Sequence, residues 1–126
     1  MKGKLVFFVD DDKMILNLLE YIFRSKPGFK IKTFENCEEC IAQLNLRPDV
    51  IVLDHLFPNN SGMSGLEALK KIESLDQGNK VIMLSSQEDQ KLIPEFIRSG
   101  AKKYIPKDSY FIDSLFNAIQ ELVKNN

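Results

Sequence analysis

Polar side chains with useful chemistry follow several short apolar runs of the sequence. They are a pair of acids, a single acid, a hydroxyl and an amine: Asp10 and Asp11, Asp54, Ser85, and Lys107. Carboxylate oxygens suit a hard divalent cation such as Mg²⁺, and a carboxylate can also attack phosphorus as a nucleophile. A hydroxyl and an ammonium group can take charge from phosphoryl oxygens. These residue types together favour metal-assisted phosphoryl transfer.

The apolar runs before these groups predict buried strands. Residues 49–54 form a Val/Ile/Leu run that ends in a carboxylate, which is typical of a strand covered on both faces. Residues 4–9, 80–84 and 102–105 predict three further strands. Residues 29–34 alternate apolar and basic side chains, which indicates a half-exposed edge strand.

Helical periodicity separates the strands, so that strands and helices alternate five times. Asp12, Asn36 and Ser64 are predicted N-caps, the second helix is predicted over 37–46, and Pro94 is expected to weaken the fourth. The residues predicted to face inward are Ile15, Leu18, Leu19 and Ile22 in the first helix, Leu66, Leu69, Ile72 and Leu75 in the third, and Phe111, Leu115, Ile119 and Leu122 in the fifth.

This alternation predicts one α/β domain over residues 1–126, a doubly wound, flavodoxin-like five-stranded parallel sheet with helices on both faces. With the strand order 2-1-3-4-5, the first and third strands are neighbours at the switch point. Asp10, Asp11 and Asp54 then meet at one edge, with Ser85 and Lys107 beside them. Because one lysine cannot offset three carboxylates, the cluster predicts a Mg²⁺ site that also attracts a phosphoryl group, with Asp54 as the nucleophile.

The bulk composition excludes several other classes of protein. The net charge is −1, with both signs mixed, which argues against nucleic-acid binding through a basic face. No apolar stretch is long enough to span a bilayer, and residues 1–4 lead straight into a strand without a signal-peptide pattern, so we expect a cytoplasmic protein. Cys37 and Cys40 form a CxxC pair, but neighbouring glutamates disfavour a thiolate and a zinc site lacks further ligands. We interpret both cysteines as structural.

Several motifs, in order, resemble the receiver domain of bacterial two-component response regulators. The resemblance covers essentially the whole chain. The motifs are Phe-Phe-Val-Asp-Asp-Asp ending at Asp12, Asp-Val-Ile-Val-Leu-Asp ending at Asp54 with Pro58 beyond it, Ser-Gly-Leu-Glu from Ser64, Val-Ile-Met-Leu-Ser-Ser from Val81, and Gly-Ala-Lys-Lys-Tyr-Ile-Pro-Lys ending at Lys107.

The resemblance implies a role for each matching residue. Asp54 is the phosphoacceptor, while Asp10, Asp11 and the backbone carbonyl of Leu56 help to hold Mg²⁺. Lys107 binds the phosphoryl group, and Ser85 and Tyr104 form the switch. Asp54 is also a metal ligand, so the implied ligands are Asp10, Asp11, Asp54 and Leu56.

The resemblance also implies that the protein is a signalling phosphoacceptor and not an enzyme with a separate substrate. It implies two kinds of protein partner as well. The phosphodonor is a histidine kinase or a histidine phosphotransfer protein. A downstream protein binds the face formed by the fourth helix, the fifth strand and the fifth helix. We expect a monomer or weak dimer that contacts neither nucleic acid nor membrane. Three departures are a longer segment between Pro58 and Gly65, Asp108 in place of a usual proline, and the apolar Leu56, which cannot orient an attacking water.

Two alternatives remain open from the residues. The first is a receiver-like interaction module that is not phosphorylated. The second is a haloacid-dehalogenase-like phosphatase, because Asp10 and Asp12 form an Asp-x-Asp motif after an apolar strand. In that case Asp10 is the nucleophile and Asp12 the general acid and base. The position of a phosphoryl group, on Asp54 or on Asp10, separates these two chemistries.

Overall fold

The computed structural model describes residues 3–55, 62–75 and 78–124, except for the side chains of 87–89. Its five strands form one parallel sheet in the order β2-β1-β3-β4-β5, which confirms the predicted fold and order. The strands are β1 (Lys4–Val9), β2 (Phe29–Phe34), β3 (Val50–Asp54), β4 (Val81–Ser85) and β5 (Lys103–Pro106). The helices are α1 (Lys13–Arg24), α2 (Cys37–Ala42), α3 (Gly65–Ser74), α4 (Ile93–Arg98) and α5 (Phe111–Lys124).

The core consists of two apolar layers, one on each face of the sheet. Alternate strand residues point to opposite faces, so Phe7 and Ile51 lie in one layer while Phe8 and Val52 lie in the other. The first layer also contains side chains of α2, α3 and α4, and the second contains side chains of α1 and α5. Because apolar side chains cover both faces, the polar residues that follow the strands are confined to the sheet's ends.

The three predicted N-caps are confirmed. The Asp12 side chain accepts a hydrogen bond from the Met14 amide, and the Asn36 side chain accepts one from the Glu39 amide. Ser64 forms a capping box with Glu67, in which each side chain accepts from the other residue's amide. These caps fix where α1, α2 and α3 begin, and α1 and α2 start close to the carboxyl ends of β1 and β2.

The predicted inner faces of two helices need correction. In α1, Leu16 and Phe23 are buried with Leu19, whereas Leu18 is 44% exposed. In α3, Ala68 is buried, and Leu75, which directly follows the helix, is 39% exposed. Helix α1 carries more apolar residues than one face can hold, so spacing alone did not identify its buried set. The prediction for α5 was closer, since Leu115 and Ile119 are buried.

The second predicted helix is shorter than expected, and a 3₁₀ segment precedes the fourth. The helix predicted over 37–46 ends at Ala42, and a 3₁₀ turn over Leu44–Leu46 follows before Arg47 adopts a left-handed φ of 57°. A 3₁₀ segment over Gln87–Leu92 precedes α4, so that Pro94 lies in its first turn. A proline is tolerated there because the first amides of a helix have no partner within it. Among the described residues, no helix has the length and hydropathy needed to cross a bilayer.

Candidate functional site

Three carboxylates meet where β1 and β3 end. The parallel register sets Val9 of β1 beside Leu53 of β3, so the residues that follow them are neighbours. One oxygen from each of Asp10, Asp11 and Asp54 lies within 4.8 Å of the others. Asp10 and Asp54 are only 2% and 3% exposed, while Asp11 is half-buried. The structure therefore brings together the three acids selected from the sequence.

Lys107 points into this acidic cluster. Its Nζ lies 2.7 Å from Asp54 Oδ1 and 3.1 Å from Asp10 Oδ2. The Lys107 amide also donates to the Ser85 carbonyl at 2.9 Å, which ties the residue after β5 to the end of β4. The lysine thus bridges the two buried acids, although Asp108 follows it in place of the usual proline.

Burial and charge shift the pKa values of this cluster. Burial raises the pKa of the Asp54 carboxyl from 3.8 to about 7, Asp10 adds to the effect, and Lys107 opposes it. Burial likewise raises the pKa of Asp10, against the Asp12 amide and Lys107. For Lys107, burial lowers the pKa, but Asp54 and Asp10 outweigh it and the net shift is upward. The lysine therefore stays charged while Asp54 titrates near neutral pH.

The two predicted switch residues lie on β4 and β5. Ser85 is almost completely buried at the end of β4, one strand away from Asp54. Tyr104 is half-buried, its hydroxyl donates to the Ser86 carbonyl at 3.2 Å, and its ring stacks on Phe96 with centroids 6.0 Å apart. Phe96 also meets the His55 ring edge-on at 5.1 Å. Tyr104 is thus linked by aromatic contacts to the residue after Asp54.

The chain beyond Asp54 returns close to it at Gly65. The Gly65 amide donates to the His55 carbonyl at 3.2 Å, and a Cβ on Gly65 would overlap the Asp54 carbonyl oxygen. Only glycine allows the first turn of α3 to approach the strand end this closely. Leu56, predicted to supply a backbone carbonyl to the metal, lies outside the described residues, as do residues 58–61 of the longer segment.

Asp12 and the cysteines lie apart from this chemistry. The exposed Asp12 carboxylate is engaged as the cap of α1. Cys37 and Cys40 are free thiols, wholly buried in the apolar layer beneath α2, and burial raises the pKa of each to about 12. Sequence analysis missed Glu38, whose carboxylate accepts a hydrogen bond from the Met63 amide at 2.9 Å. No signal in the sequence pairs two residues so far apart.

The donor set fits a hard divalent cation. Three carboxylates supply oxygen ligands within a few ångströms, two of them are nearly buried, and one ammonium group offsets only part of their charge. Oxygen ligands of this kind suit Mg²⁺, which is bound by one or two carboxylates together with waters and phosphate oxygens. Asp10, Asp11 and Asp54 are the residues that would hold it.

Comparisons with known proteins agree on one family. The family model described as "Response regulator receiver domain" matches residues 6–120. The chemotaxis protein CheY of Thermotoga maritima is 32% identical over 107 residues, which cover 83% of this chain and 86% of that protein. A Francisella response regulator receiver domain superposes with a TM-score of 0.85 at 27% identity, covering 98% of each chain.

CheY in the CheX-CheY-BeF₃-Mg²⁺ complex of Borrelia burgdorferi superposes with a TM-score of 0.83 at 26% identity, covering 97% of this chain and 90% of that one. Receiver domains are signalling phosphoacceptors, and they interact with histidine kinases and with downstream targets. The match of the family model over residues 6–120, together with the parallel five-stranded fold, shows that this chain belongs to the response regulator receiver domain family.

Proposed function

We propose that residues 1–126 act as one receiver domain that accepts a phosphoryl group on Asp54 in a Mg²⁺-dependent reaction. The donor is a phosphohistidine of a histidine kinase or a phosphotransfer protein. The observation that carries the proposal is the position of Lys107, whose ammonium group contacts Asp54 at 2.7 Å and Asp10 at 3.1 Å within a cluster of three acids. That the protein is cytoplasmic, and that it is a monomer or weak dimer, both remain predictions.

In the proposed reaction, a carboxylate oxygen of Asp54 attacks phosphorus. The bond from phosphorus to the donor imidazole nitrogen breaks as the bond to oxygen forms, and the imidazole leaves with the bonding electron pair. Lys107 is placed to turn its ammonium group from Asp54 toward the new phosphoryl oxygens. The hydroxyl of Ser85, one strand away, is proposed to donate to the same group.

A bound Mg²⁺ would supply Lewis-acid stabilisation of the phosphoryl oxygens. Asp10, Asp11 and Asp54 are the proposed side-chain ligands, and the Leu56 carbonyl is proposed as a further ligand by family resemblance. The related CheY structure from Borrelia burgdorferi, which contains BeF₃ and Mg²⁺, supports this assignment. A further support is the carboxylate cluster itself, which carries more negative charge than Lys107 can offset.

We also propose that phosphorylation changes the surface formed by α4, β5 and α5. A phosphoryl group on Asp54 would draw the Ser85 hydroxyl inward, and Tyr104 would then move into the space that it leaves. The Tyr104 hydroxyl holds the Ser86 carbonyl, and its ring stacks on Phe96 of α4, so such a movement would be transmitted to α4. A downstream protein would recognise the altered surface.

The proposal is tested by incubating the protein with a small acyl phosphate and Mg²⁺ and measuring its intact mass. The wild-type chain is expected to gain one phosphoryl group. Asp54→Asn is expected to gain none, while the matched control Asp113→Asn, which changes an exposed acid on α5, is expected to gain one as the wild type does. The gain is expected to disappear when a chelator removes Mg²⁺.

Mapping the modified residue separates the alternatives. A phosphoryl group on Asp54 supports the receiver chemistry, whereas one on Asp10 would indicate the phosphatase-like chemistry. Asp12, the general acid and base in that alternative, is engaged in capping α1, which disfavours it. No gain of mass in the presence of Mg²⁺ would leave the interaction module that is not phosphorylated.

A further inference from the structure

We propose that Glu38 is a positioning residue for Asp54, and this inference rests on the function proposed above. The carboxylate of Glu38 holds the Met63 amide, and through it the start of α3, against the backbone of Asp54 and His55. Glu38 touches no reacting group. It acts through residues 63–65, which connect it to the backbone of His55 and Asp54.

The first link is a hydrogen bond between two separate elements. Glu38 lies in the first turn of α2, and its Oε2 accepts from the Met63 amide at 2.9 Å. Met63 directly precedes Ser64, the cap of α3, so the Met63 amide is not part of the helix. A carboxylate acceptor makes this bond charge-assisted and stronger than one between neutral groups.

Gly62 lies against the same carboxylate, so the residue type at this position bears on the contact. A Cβ on Gly62 would lie 2.9 Å from Glu38 Oε2 and 3.3 Å from Oε1, which is closer than such atoms pack. The φ of Gly62 does not lie in the left-handed region, so its backbone would accept alanine. Glycine here therefore leaves room for the carboxylate of Glu38.

The second link joins the start of α3 to the phosphoacceptor. The Gly65 amide donates to the His55 carbonyl at 3.2 Å, and Gly65 packs so closely on the Asp54 carbonyl that a side chain would not fit. Only Ser64 separates Met63 from Gly65. The bond made by Glu38 thus lies two residues from the point where α3 rests on Asp54.

This arrangement is expected to affect rate more than stability. Glu38 is exposed, and a hydrogen bond at an exposed position adds little to the stability of the fold. Phosphoryl transfer depends almost entirely on the position of the reacting groups, and small displacements of a reacting group are costly. Loss of the bond would loosen the start of α3 at the point where it packs on Asp54.

The experiment compares the rates at which variants gain a phosphoryl group from a small acyl phosphate with Mg²⁺. Glu38→Ala is expected to react roughly 3- to 10-fold more slowly than the wild type because the carboxylate no longer positions the chain. Glu38→Gln keeps an oxygen acceptor and is expected to restore the rate to within about twofold. Glu39→Ala, which changes the adjacent exposed glutamate, is the matched control and should react like the wild type.

Gly62→Ala gives a second test that leaves Glu38 in place. Its new methyl group should displace the carboxylate and slow the reaction, but it should have no further effect in Glu38→Ala. A wild-type rate in Glu38→Ala, or a Glu38→Gln variant as slow as Glu38→Ala, would overturn the inference. If the wild type itself gains no phosphoryl group, the proposed function fails first, so the two failures are distinguishable.

Discussion

Among the described residues, two sets of ionisable side chains are buried, and they differ in their chemical consequences. Cys37 and Cys40 lie wholly buried beneath α2, and every influence on the pKa of their thiols raises it, to about 12. Asp54 is almost as deeply buried, but Lys107 opposes the effects of burial and of Asp10, and its pKa is about 7. The thiols therefore stay protonated at neutral pH, whereas the Asp54 carboxyl group is partly ionised.

The difference lies in the surroundings rather than in the depth of burial. The cysteines pack among apolar side chains of the sheet and helices, where nothing stabilises a thiolate. The carboxylates lie at the ends of β1 and β3, where the apolar layers stop and Lys107 from the end of β5 reaches them. Burial disfavours the ionised form of a group, and a nearby opposite charge stabilises that form.

The largest effect expected from this comparison is the dependence of stability on pH. Folding raises the pKa of Asp54 from 3.8 to about 7, so the protein loses stability as the pH rises through that interval. This shift in pKa lowers the free energy of unfolding by up to about 4 kcal/mol at pH 8 in the absence of metal. Asp54→Asn is therefore expected to be more stable than the wild type at pH 8 and nearly equal to it at pH 4.

Denaturant unfolding in metal-free buffer at the two pH values measures this effect. Mg²⁺ added at pH 8 should recover much of the lost stability in the wild type and little of it in Asp54→Asn. If the free energies of unfolding of the two proteins depend on pH in the same way, folding does not raise the pKa of Asp54.

A somewhat smaller effect is expected when the opposing charge is removed. Lys107→Met leaves the buried acids without their ammonium partner, and phosphoryl gain on Asp54 should slow by roughly 100-fold, or about 2.7 kcal/mol. Lys103→Met is the matched control, since Lys103 pairs with the more exposed Glu121 on α5, away from the acids. Its rate should equal that of the wild type, and an equal loss in both variants would contradict a specific role for Lys107.

The smallest effect is expected in the thiol pair. Cys40→Ala removes only a buried sulfur atom, so it should lower the free energy of unfolding by about 1 kcal/mol and leave the rate of phosphoryl gain within about twofold. Thermal unfolding and intact mass give the two values. A large loss of rate in a variant that stays folded would show that the thiols take part in the chemistry.

The fold and most of the site followed from the sequence because both depend on where apolar runs end. The apolar run that ends at Asp54 indicated both a buried strand and the acidic residue at its end. The predicted strand order then placed Asp10 next to Asp54. The three helix caps were also readable, since each is a local interaction between a side chain and an amide two or three residues away.

What the sequence did not reveal depends on contacts between distant residues. Leu16 rather than Leu18 faces inward because the packing of α1 on the sheet selects among several apolar positions. Helix α2 ends at Ala42 and a 3₁₀ turn follows it. The residues of that turn are equally compatible with a continued α-helix, so the sequence did not show where α2 ends. The bond from Glu38 to Met63 spans 25 residues and has no local signature.

The most direct test of the account is a calorimetric titration of Mg²⁺ into the wild type and into Asp10→Asn near pH 8. We propose that the buried carboxylates at the ends of β1 and β3 share one divalent cation. We predict one bound Mg²⁺ for each wild-type chain, and an affinity at least about 10-fold weaker in Asp10→Asn, because a charged ligand is lost. Equal affinities in the two proteins, or no binding to the wild type, would contradict the account.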